Sequence, residues 1–242
     1  MFGRLARHYD ELYATKDYRG EVRRLENLAR RFGRAARATW LDVACGTGRH
    51  LEYLRRNHDV VGVDASSEML RWARRRLRGV RLIRGDMRTF RVGQRFDVVT
   101  CLFSAIGHLQ TERDVEEAFS NFARHTNPGG VVIVEPWIDP ADFRVGHLHL
   151  VTHRRPDAIL VRLASSSRRE NHSVIQYHYL LGETGKGIRH LTETDVGLLV
   201  SRRRLLGIMR RVGLEPHLYS PGLSTGRSLI LGRKPRTAAA TP

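Results

Sequence analysis

The sequence predicts an α/β protein built on a doubly wound, seven-stranded and mostly parallel sheet, with a small antiparallel β cap. Three observations support this fold class. Apolar strand-like runs alternate with amphipathic helical segments over residues 39–135, the pattern of parallel βαβ units with right-handed crossovers. The first of these strands ends in a glycine-rich turn. Over residues 137–200 the pattern changes to short β runs separated by turn signals.

The elements follow in a simple order. Residues 3–18 are polar and carry three tyrosines, and residues 20–32 have the spacing of an amphipathic helix. The predicted parallel strands lie at residues 39–43, 60–63, 80–84, 96–102 and 131–135. The helices between them are predicted at residues 49–56, 66–78 and 111–126. Past the cap, the predicted elements are a helix at 201–212 and a terminal antiparallel hairpin of 214–219 with 228–231.

Composition excludes several classes of protein. No run approaches the ~18 apolar residues of a membrane span. The only cysteines, Cys45 and Cys101, lie in predicted buried elements, which excludes a disulfide framework and favours a reduced, cytoplasmic setting. The net charge is +17, and only three of the 42 basic residues are lysines. This charge indicates either an anionic partner or a composition bias; the arginines of residues 66–78 fall on one solvated helix face, which favours the bias.

A ligand site is predicted at the turn after the first strand, Ala44-Cys45-Gly46-Thr47-Gly48. Gly46 and Gly48 can adopt positive φ and allow a ligand close to the backbone, and the following helix would direct free N–H groups at the same place. Asp64 ends the second strand sixteen residues later (64 − 48), where a carboxylate can accept ribose hydroxyls. Taken alone, Gly-x-Gly is equally compatible with a plain tight turn.

With the later segments included, the chain resembles the class I S-adenosylmethionine (SAM)-dependent methyltransferases over residues 41–137. The glycine-rich turn, Asp64, Gly85-Asp86-Met87 and the turn at residues 127–130 occur in the family's order, although Ala44 replaces the family's first glycine. The resemblance implies the Rossmann-like methyltransferase fold, SAM as cofactor and methyl transfer as the reaction. It implies no metal site.

The resemblance also implies particular cofactor contacts. Asp64 would hold the ribose hydroxyls, Asp86 the adenine amino group, and the Met87 N–H the adenine ring, while the glycine-rich turn would hold the methionine portion. Asp86 is equally typical of a turn residue that caps its own backbone. Tyr9 and Tyr18 line the pocket or else cover the core with their hydroxyls in water. The residues implied to bind the cofactor are Tyr9, Tyr18, Ala44, Gly46, Asp64, Ala65, Asp86, Met87 and Leu102.

Shorter phrases resemble one subfamily, the nucleotide-sugar N,N-dimethyltransferases, which methylate TDP-linked deoxyaminosugars in antibiotic pathways. These phrases are Gly85-Asp86-Met87-Arg88, Val99-Thr100-Cys101, Phe103-Ser104, Ile106-Gly107-His108, Phe122-Ala123-Arg124-His125, Val134-Glu135-Pro136-Trp137 and Gly226-Arg227. The Asn/Asp-Pro-Pro-Tyr motif of nucleobase-amine methyltransferases is absent after the fourth strand. The acceptor is therefore predicted to be an amine of a small molecule.

The resemblance implies His108 as the catalytic residue. It would accept a proton, or only position the substrate, or else be a helix-start histidine bonded to a carbonyl. Arg227 would clamp a diphosphate or be one more solvated arginine, and Trp137 and Tyr177 would stack on the substrate or pack in the core. The implied substrate-binding residues are Tyr13, Phe103, Trp137, Tyr177 and Arg227.

The predicted organisation has four parts. Residues 1–136 form the cofactor-binding core with an N-terminal helical lid, 137–200 the cap, 201–233 the rest of the core, and 234–242 a disordered tail. A homodimer through the cap is left open. So are two alternative functions, an RNA or protein methyltransferase recruited by the basic surface and a non-catalytic protein that binds an adenosine ligand.

Overall fold

The computed structural model describes residues 9–32, 36–223 and 226–236, without the Tyr9 side chain. Its α-helices are α1 (Tyr9–Leu12), α2 (Tyr18–Arg31), α3 (Arg49–Leu54), α4 (Ser67–Arg76), α5 (Glu112–Arg124) and α6 (Arg202–Arg211). A 3₁₀ helix covers Ala105–His108. Its strands are β1 (Thr39–Val43), β2 (Asp59–Asp64), β3 (Arg81–Arg84), β4 (Phe96–Cys101), β5 (Thr126–Val134), β6 (Leu148–Arg155), β7 (Ala158–Arg169), β8 (His172–Glu183), β9 (Gly187–Leu198), β10 (Glu215–Tyr219) and β11 (Leu229–Arg233).

Seven strands form the main sheet in the order β10-β11-β5-β4-β1-β2-β3. Strand β11 is antiparallel to both of its neighbours, and the other pairs are parallel. The predicted fold class is therefore confirmed. The strand order reverses between β4 and β1. In open α/β sheets, ligands bind in a crevice at the carboxyl ends of the two strands where this reversal occurs.

Helices cover both faces of this sheet, as a doubly wound fold requires. One apolar cluster joins the sheet to α5 and α6 through residues such as Phe119, Phe122 and Ile208. The other joins it to α2, α3 and α4 through residues such as Leu25 and Leu70. None of the helices in the described residues is both long and apolar enough to cross a bilayer.

The cap is a separate four-stranded antiparallel sheet in the order β6-β7-β8-β9. The sequence patterns predicted short β runs over residues 137–200, whereas β7, β8 and β9 are each 12 residues long. Successive side chains of each strand point to opposite sides of the sheet, so the cap has an inner face towards the core and an outer face. On the inner face, Leu160, Tyr179 and Leu181 pack against Leu12 of α1, so the cap also closes over the N-terminal segment.

Two predicted boundaries are corrected by the structure. Strand β5 already begins at Thr126, so the turn predicted at residues 127–130 lies within the strand, with a register irregularity opposite Phe96. The disordered tail does not begin at 234, because Lys234 exchanges backbone hydrogen bonds with the glycines of this segment and its ammonium donates to Ala123 O (2.7 Å) and Thr126 O (3.0 Å). Residues 237–242 lie outside the described part of the chain.

Candidate active site

The glycine-rich turn after β1 is held in a left-handed backbone conformation. Ala44, Gly46 and Gly48 have φ values of 57°, 57° and 80°. This conformation costs a non-glycine residue about 1–3 kcal/mol, so Ala44 carries strain that the family's glycine would avoid. A Cβ at Gly46 would meet nothing within 4 Å, whereas one at Gly48 would lie 2.5 Å from Leu77 Cδ1. Gly46 therefore leaves room for a ligand, and Gly48 leaves room for α4.

Asp64, the last residue of β2, is bonded to this turn. Its Oδ2 accepts the Gly46 N–H and its Oδ1 accepts the Ser66 N–H, both at 2.8 Å. Burial raises the pKa of the Asp64 carboxyl, and these two backbone donors work against that rise. The carboxylate is thus fixed at the strand end beside open space, where it can still accept ribose hydroxyls with its remaining lone pairs.

A cavity of about 640 Å³ lies between the strand ends of the core and the inner face of the cap. A cavity of this size can hold a nucleoside together with part of a second ligand. Predicted site residues supply much of its wall, namely Tyr13, Ala44, Gly46, Asp64, Ala65, Met87, Leu102, Phe103, His108, Trp137, Tyr177 and Arg227. Of the other three, Tyr9 has no described side chain, and Tyr18 and Asp86 lie elsewhere.

Tyr18 lines a second, smaller pocket together with Asp42, Arg49 and His50, and this pocket shares Ala44 and Gly46 of the glycine-rich turn with the larger cavity. Tyr18 is only 4% exposed, so it does not cover the core with its hydroxyl in water. Asp42 is buried within β1, and burial raises its pKa to about 6 although Thr100 Oγ1 donates to it at 2.7 Å. Asp42 was not singled out from the sequence, although an acidic residue inside an apolar strand is a pattern that could have indicated it.

Asp86 does not line either pocket. Its Oδ1 accepts the Arg88 backbone N–H at 2.8 Å, and its Oδ2 accepts the Arg88 guanidinium at 2.7 Å. The bond from Arg88 is the main reason why the pKa of Asp86 is lowered. The structure thus shows Asp86 in the turn-capping role and in an ion pair with Arg88, which also binds Asp114. The contact of Asp86 with the adenine amino group stays a prediction.

The segment between β4 and His108, which forms part of the cavity wall, contains a strained turn. Phe103 and Ser104 both have positive φ, 53° and 62°. The turn is held from behind, because the buried Glu135 carboxylate accepts the Phe103 N–H at 2.7 Å and Ser104 Oγ donates to Pro136 O at 3.0 Å. This conformation places the Phe103 ring against Tyr13, with centroids 4.8 Å apart, and turns His108 towards the cavity.

Two arginines line the same cavity. Arg227 donates to Ser104 Oγ at 2.5 Å and its guanidinium lies 4.9 Å from the Trp137 ring centroid; burial lowers its pKa. It is therefore not simply a solvated arginine. Arg162 is 6% exposed and donates to the Tyr13 hydroxyl at 3.0 Å, and its buried Nε has no hydrogen-bond partner.

Arg162 and Asp195 were not singled out from the sequence. Arg162 lies between Leu160 and Ala164 on the face of β7 that the two-residue period buries, so the pattern did contain a signal. Asp195 is 9% exposed on β9, and its Oδ1 is 3.4 Å from His108 Nδ1. This contact joins the cap to the core, and nothing local in the sequence indicates it.

The fold, the glycine-rich turn and the strand-end carboxylate together define a class I SAM-dependent methyltransferase. The comparisons with known proteins agree, since a family described as a methyltransferase domain matches residues 41–130. The dTDP-3-amino-3,6-dideoxy-α-D-glucopyranose N,N-dimethyltransferase of Streptomyces fradiae is 39% identical over 95% of this chain and 91% of its own. The dTDP-3-amino-3,4,6-trideoxy-α-D-glucopyranose N,N-dimethyltransferase of Streptomyces venezuelae is 36% identical over 93% of this chain and 95% of its own.

A solved structure is similar over nearly the same length. SAM-bound CalS10, an amino pentose methyltransferase from Micromonospora echinaspora involved in calicheamicin biosynthesis, superposes with a TM-score of 0.83. It is 33% identical and covers 90% of this chain and 92% of its own. The chain belongs to the family of the TDP-aminosugar N,N-dimethyltransferases. It is a SAM-dependent enzyme, which confirms the predicted cofactor and reaction and excludes the non-catalytic alternative.

Proposed function

We propose that this enzyme methylates the amino group of a nucleotide-linked deoxyaminosugar. The observation that carries the proposal is the buried Arg162 guanidinium, which lines the cofactor cavity together with Arg227. Two guanidinium groups on the wall of one cavity fit a ligand that brings negative charge and acceptor oxygens. A diphosphate supplies both, and the Streptomyces relatives are named for dTDP-linked aminosugars.

The cofactor is assigned to the core side of the cavity. Asp64 takes the ribose hydroxyls, and the Met87 segment lies along the adenine. The small pocket at the glycine-rich turn takes the amino-acid end of SAM. It presents an acidic group, Asp42, to the ammonium and a basic group, Arg49, to the carboxylate. Bound there, SAM supplies a methyl group already activated on a sulfonium, so the protein needs only to orient the reactants and exclude water.

The acceptor is assigned to the cap side. Arg162 and Arg227 bind the diphosphate, and each guanidinium is backed by an aromatic ring, Tyr177 behind Arg162 and Trp137 behind Arg227. His108 lies at the reacting end of the cavity. The acceptor nitrogen must be neutral to attack, and it becomes cationic as the N–C bond forms. It must then lose one proton to His108 or to water before the product amine is neutral.

The basic surface offers little support for a nucleic-acid substrate. Several of its arginines are engaged in ion pairs between elements, including Arg88 with Asp114, Arg204 with Glu112 and Arg211 with Glu116. Such pairs leave less uncompensated charge for a phosphate backbone. The cavity between the core and the cap favours a small molecule instead. The two cysteines are free and buried, in keeping with the cytoplasmic setting that we propose.

The experiment that tests the function is a panel of acceptors incubated with methyl-labelled SAM and analysed by mass spectrometry. The panel contains TDP-linked 3-amino and 4-amino deoxysugars, the same sugars without the nucleotide, and a short RNA. We expect product only from the nucleotide-linked amines, with a mass gain of one or two methyl groups. Methylation of RNA, or equal rates with the free aminosugars, would contradict the proposal.

We also propose that the enzyme is a homodimer through the outer face of the cap. This face carries a row of exposed apolar side chains that the strand register places on one side of the sheet. They are Leu148, Leu150, Ile159, Leu163, Leu180, Ile188 and Val196. Apolar side chains gathered on one exposed face indicate a protein interface, and a two-fold axis would pair this face with itself.

The dimer is tested by replacing Leu150 and its cross-strand neighbour Leu163 with glutamate. Light scattering should give about twice the 27.7 kDa chain mass for the native enzyme and the single-chain mass for the double variant. Leu218→Glu, which changes an exposed leucine on the main sheet, is the matched control and should remain dimeric. A native enzyme that runs as a monomer at micromolar concentration would refute this interface.

A further inference from the structure

Strand β9 of the cap approaches the 3₁₀ helix of the core across a single tryptophan. A Cβ on Gly107 would lie 2.7 Å from Trp137 Cβ, and a Cβ on Gly197 would lie 2.8 Å from Trp137 Nε1. The indole also donates to Ser173 Oγ at 2.8 Å, and this hydroxyl donates to Gly197 O at 3.0 Å. The indole therefore sets the distance between the two backbone segments, and each segment lacks a side chain at the point of contact.

Each of these segments carries one polar side chain that reaches the cavity. His108 follows Gly107 directly, and Asp195 precedes Gly197 by two residues, so it lies on the same face of β9 as that glycine. Asp195 Oδ1 and His108 Nδ1 are 3.4 Å apart. The two groups are in ion-pair range without a formed hydrogen bond, and catalytic contacts are often long or poorly aligned before the substrate is bound and tighten in the reacting complex. The Asp195 side chain is 11% exposed, whereas that of His108 is 41% exposed and can reach a ligand.

We infer that Asp195 is a positioning residue that acts through His108, an inference that rests on the proposed function. The Asp195 carboxylate accepts the Nδ1–H of His108. It thereby fixes the tautomer in which Nε2 carries a lone pair directed at the acceptor amine. As the nitrogen forms its bond to the methyl carbon, the S–C bond breaks and the nitrogen becomes cationic. Nε2 then accepts one proton from that nitrogen, and Asp195 stabilises the resulting imidazolium.

This arrangement matters most between two successive methylations. A secondary amine can attack a second methyl group only after the proton left by the first transfer has been removed. In a cavity partly covered by the cap, a fixed imidazole removes that proton more readily than water does. The structure thus assigns to the Asp195–His108 pair a role in carrying the reaction from the monomethyl to the dimethyl product.

The first test does not depend on the acceptor. In ¹⁵N-labelled enzyme, two-dimensional NMR of the imidazole rings reports which nitrogen carries the proton, and the signal missing from His108→Gln identifies His108. We expect the Nδ1–H tautomer in the native enzyme and a mixture in Asp195→Asn. An Nε2–H tautomer in the native enzyme, or no change in Asp195→Asn, would overturn the inference even if the enzyme methylates aminosugars.

The second test is kinetic. Asp195→Asn should lower kcat by about 10- to 100-fold, the usual cost of losing a partner that orients a functional histidine, with both KM values within about threefold. The monomethyl product should accumulate, and more so at lower pH. The double variant with His108→Gln should be no slower than His108→Gln alone, because the two residues act as one unit.

The matched control is Asp157→Asn, which removes an exposed carboxylate from a turn of the same cap and should behave as the native enzyme. Independent, additive losses in the double variant, or a loss confined to KM, would show that Asp195 does not act through His108. If the native enzyme methylated no nucleotide-linked amine, the proposed function would fail, while the NMR experiment would still decide whether Asp195 orients His108.

Discussion

Replacing Asp64 with asparagine is expected to weaken SAM binding by at least about 100-fold. The native carboxylate accepts two backbone N–H groups, from Gly46 and Ser66, and is the group assigned to the ribose hydroxyls. An asparagine has only one acceptor oxygen, so one of these N–H groups would face an NH₂ group. Hydrogen bonds to a charged group contribute about 1.5–3 kcal/mol each, so losing the two bonds from the ribose hydroxyls corresponds to a factor of about 10² to 10⁴ in affinity.

Isothermal titration calorimetry with SAM and with S-adenosylhomocysteine measures this effect. The matched control is Asp59→Asn at the opposite end of the same strand, where the carboxylate is exposed and paired with Arg37. That variant should bind both ligands with native affinity. If folded Asp64→Asn bound SAM within about threefold of the native enzyme, Asp64 would not be the ribose-binding group, and the assigned orientation of the cofactor would be wrong.

Replacing Arg162 with methionine is expected to raise the KM for the nucleotide-sugar by about 100-fold or more, with cofactor affinity unchanged. Methionine keeps an apolar side chain against Tyr13 and Tyr177, whose rings the guanidinium now covers, but it removes the charge and the donors. Loss of a buried, charge-assisted contact to a diphosphate costs several kcal/mol, because no water replaces it easily. Arg162→Lys should be intermediate, since it keeps the charge without the planar fork.

Steady-state kinetics at saturating SAM, together with calorimetry of SAM alone, separates the two binding sites. Arg168→Met is the matched control, because Arg168 lies on the same strand but is exposed at its far end. Thermal unfolding of each variant shows whether the buried substitution has altered the fold. A folded Arg162→Met enzyme with native KM for the nucleotide-sugar would place the diphosphate elsewhere, with Arg227 as the remaining candidate.

The sequence by itself determined the main sheet, the glycine-rich turn and the carboxylate at the end of the second strand. Apolar residues with a period of two indicate strands, and those with a period of 3.6 indicate helices. Parallel strands that alternate with helices can be connected in only a few topologies. Gly46, Gly48 and Asp64 could also be predicted, because glycines in a turn and a carboxylate at a strand end are local sequence patterns. The backbone strain at Ala44 could not be predicted, since only its φ angle in the structure reveals it.

Only the tertiary structure revealed Arg162 and Asp195 on the cavity wall. The two residues are on different cap strands, and the antiparallel register of the cap strands determines which side chains share the inner face. The same holds for the ion pairs of Arg88, because the fold places Asp114 beside Arg88 and Asp86. Such contacts depend on pairing between distant segments, and a one-residue change in register would turn every cap side chain to the opposite face.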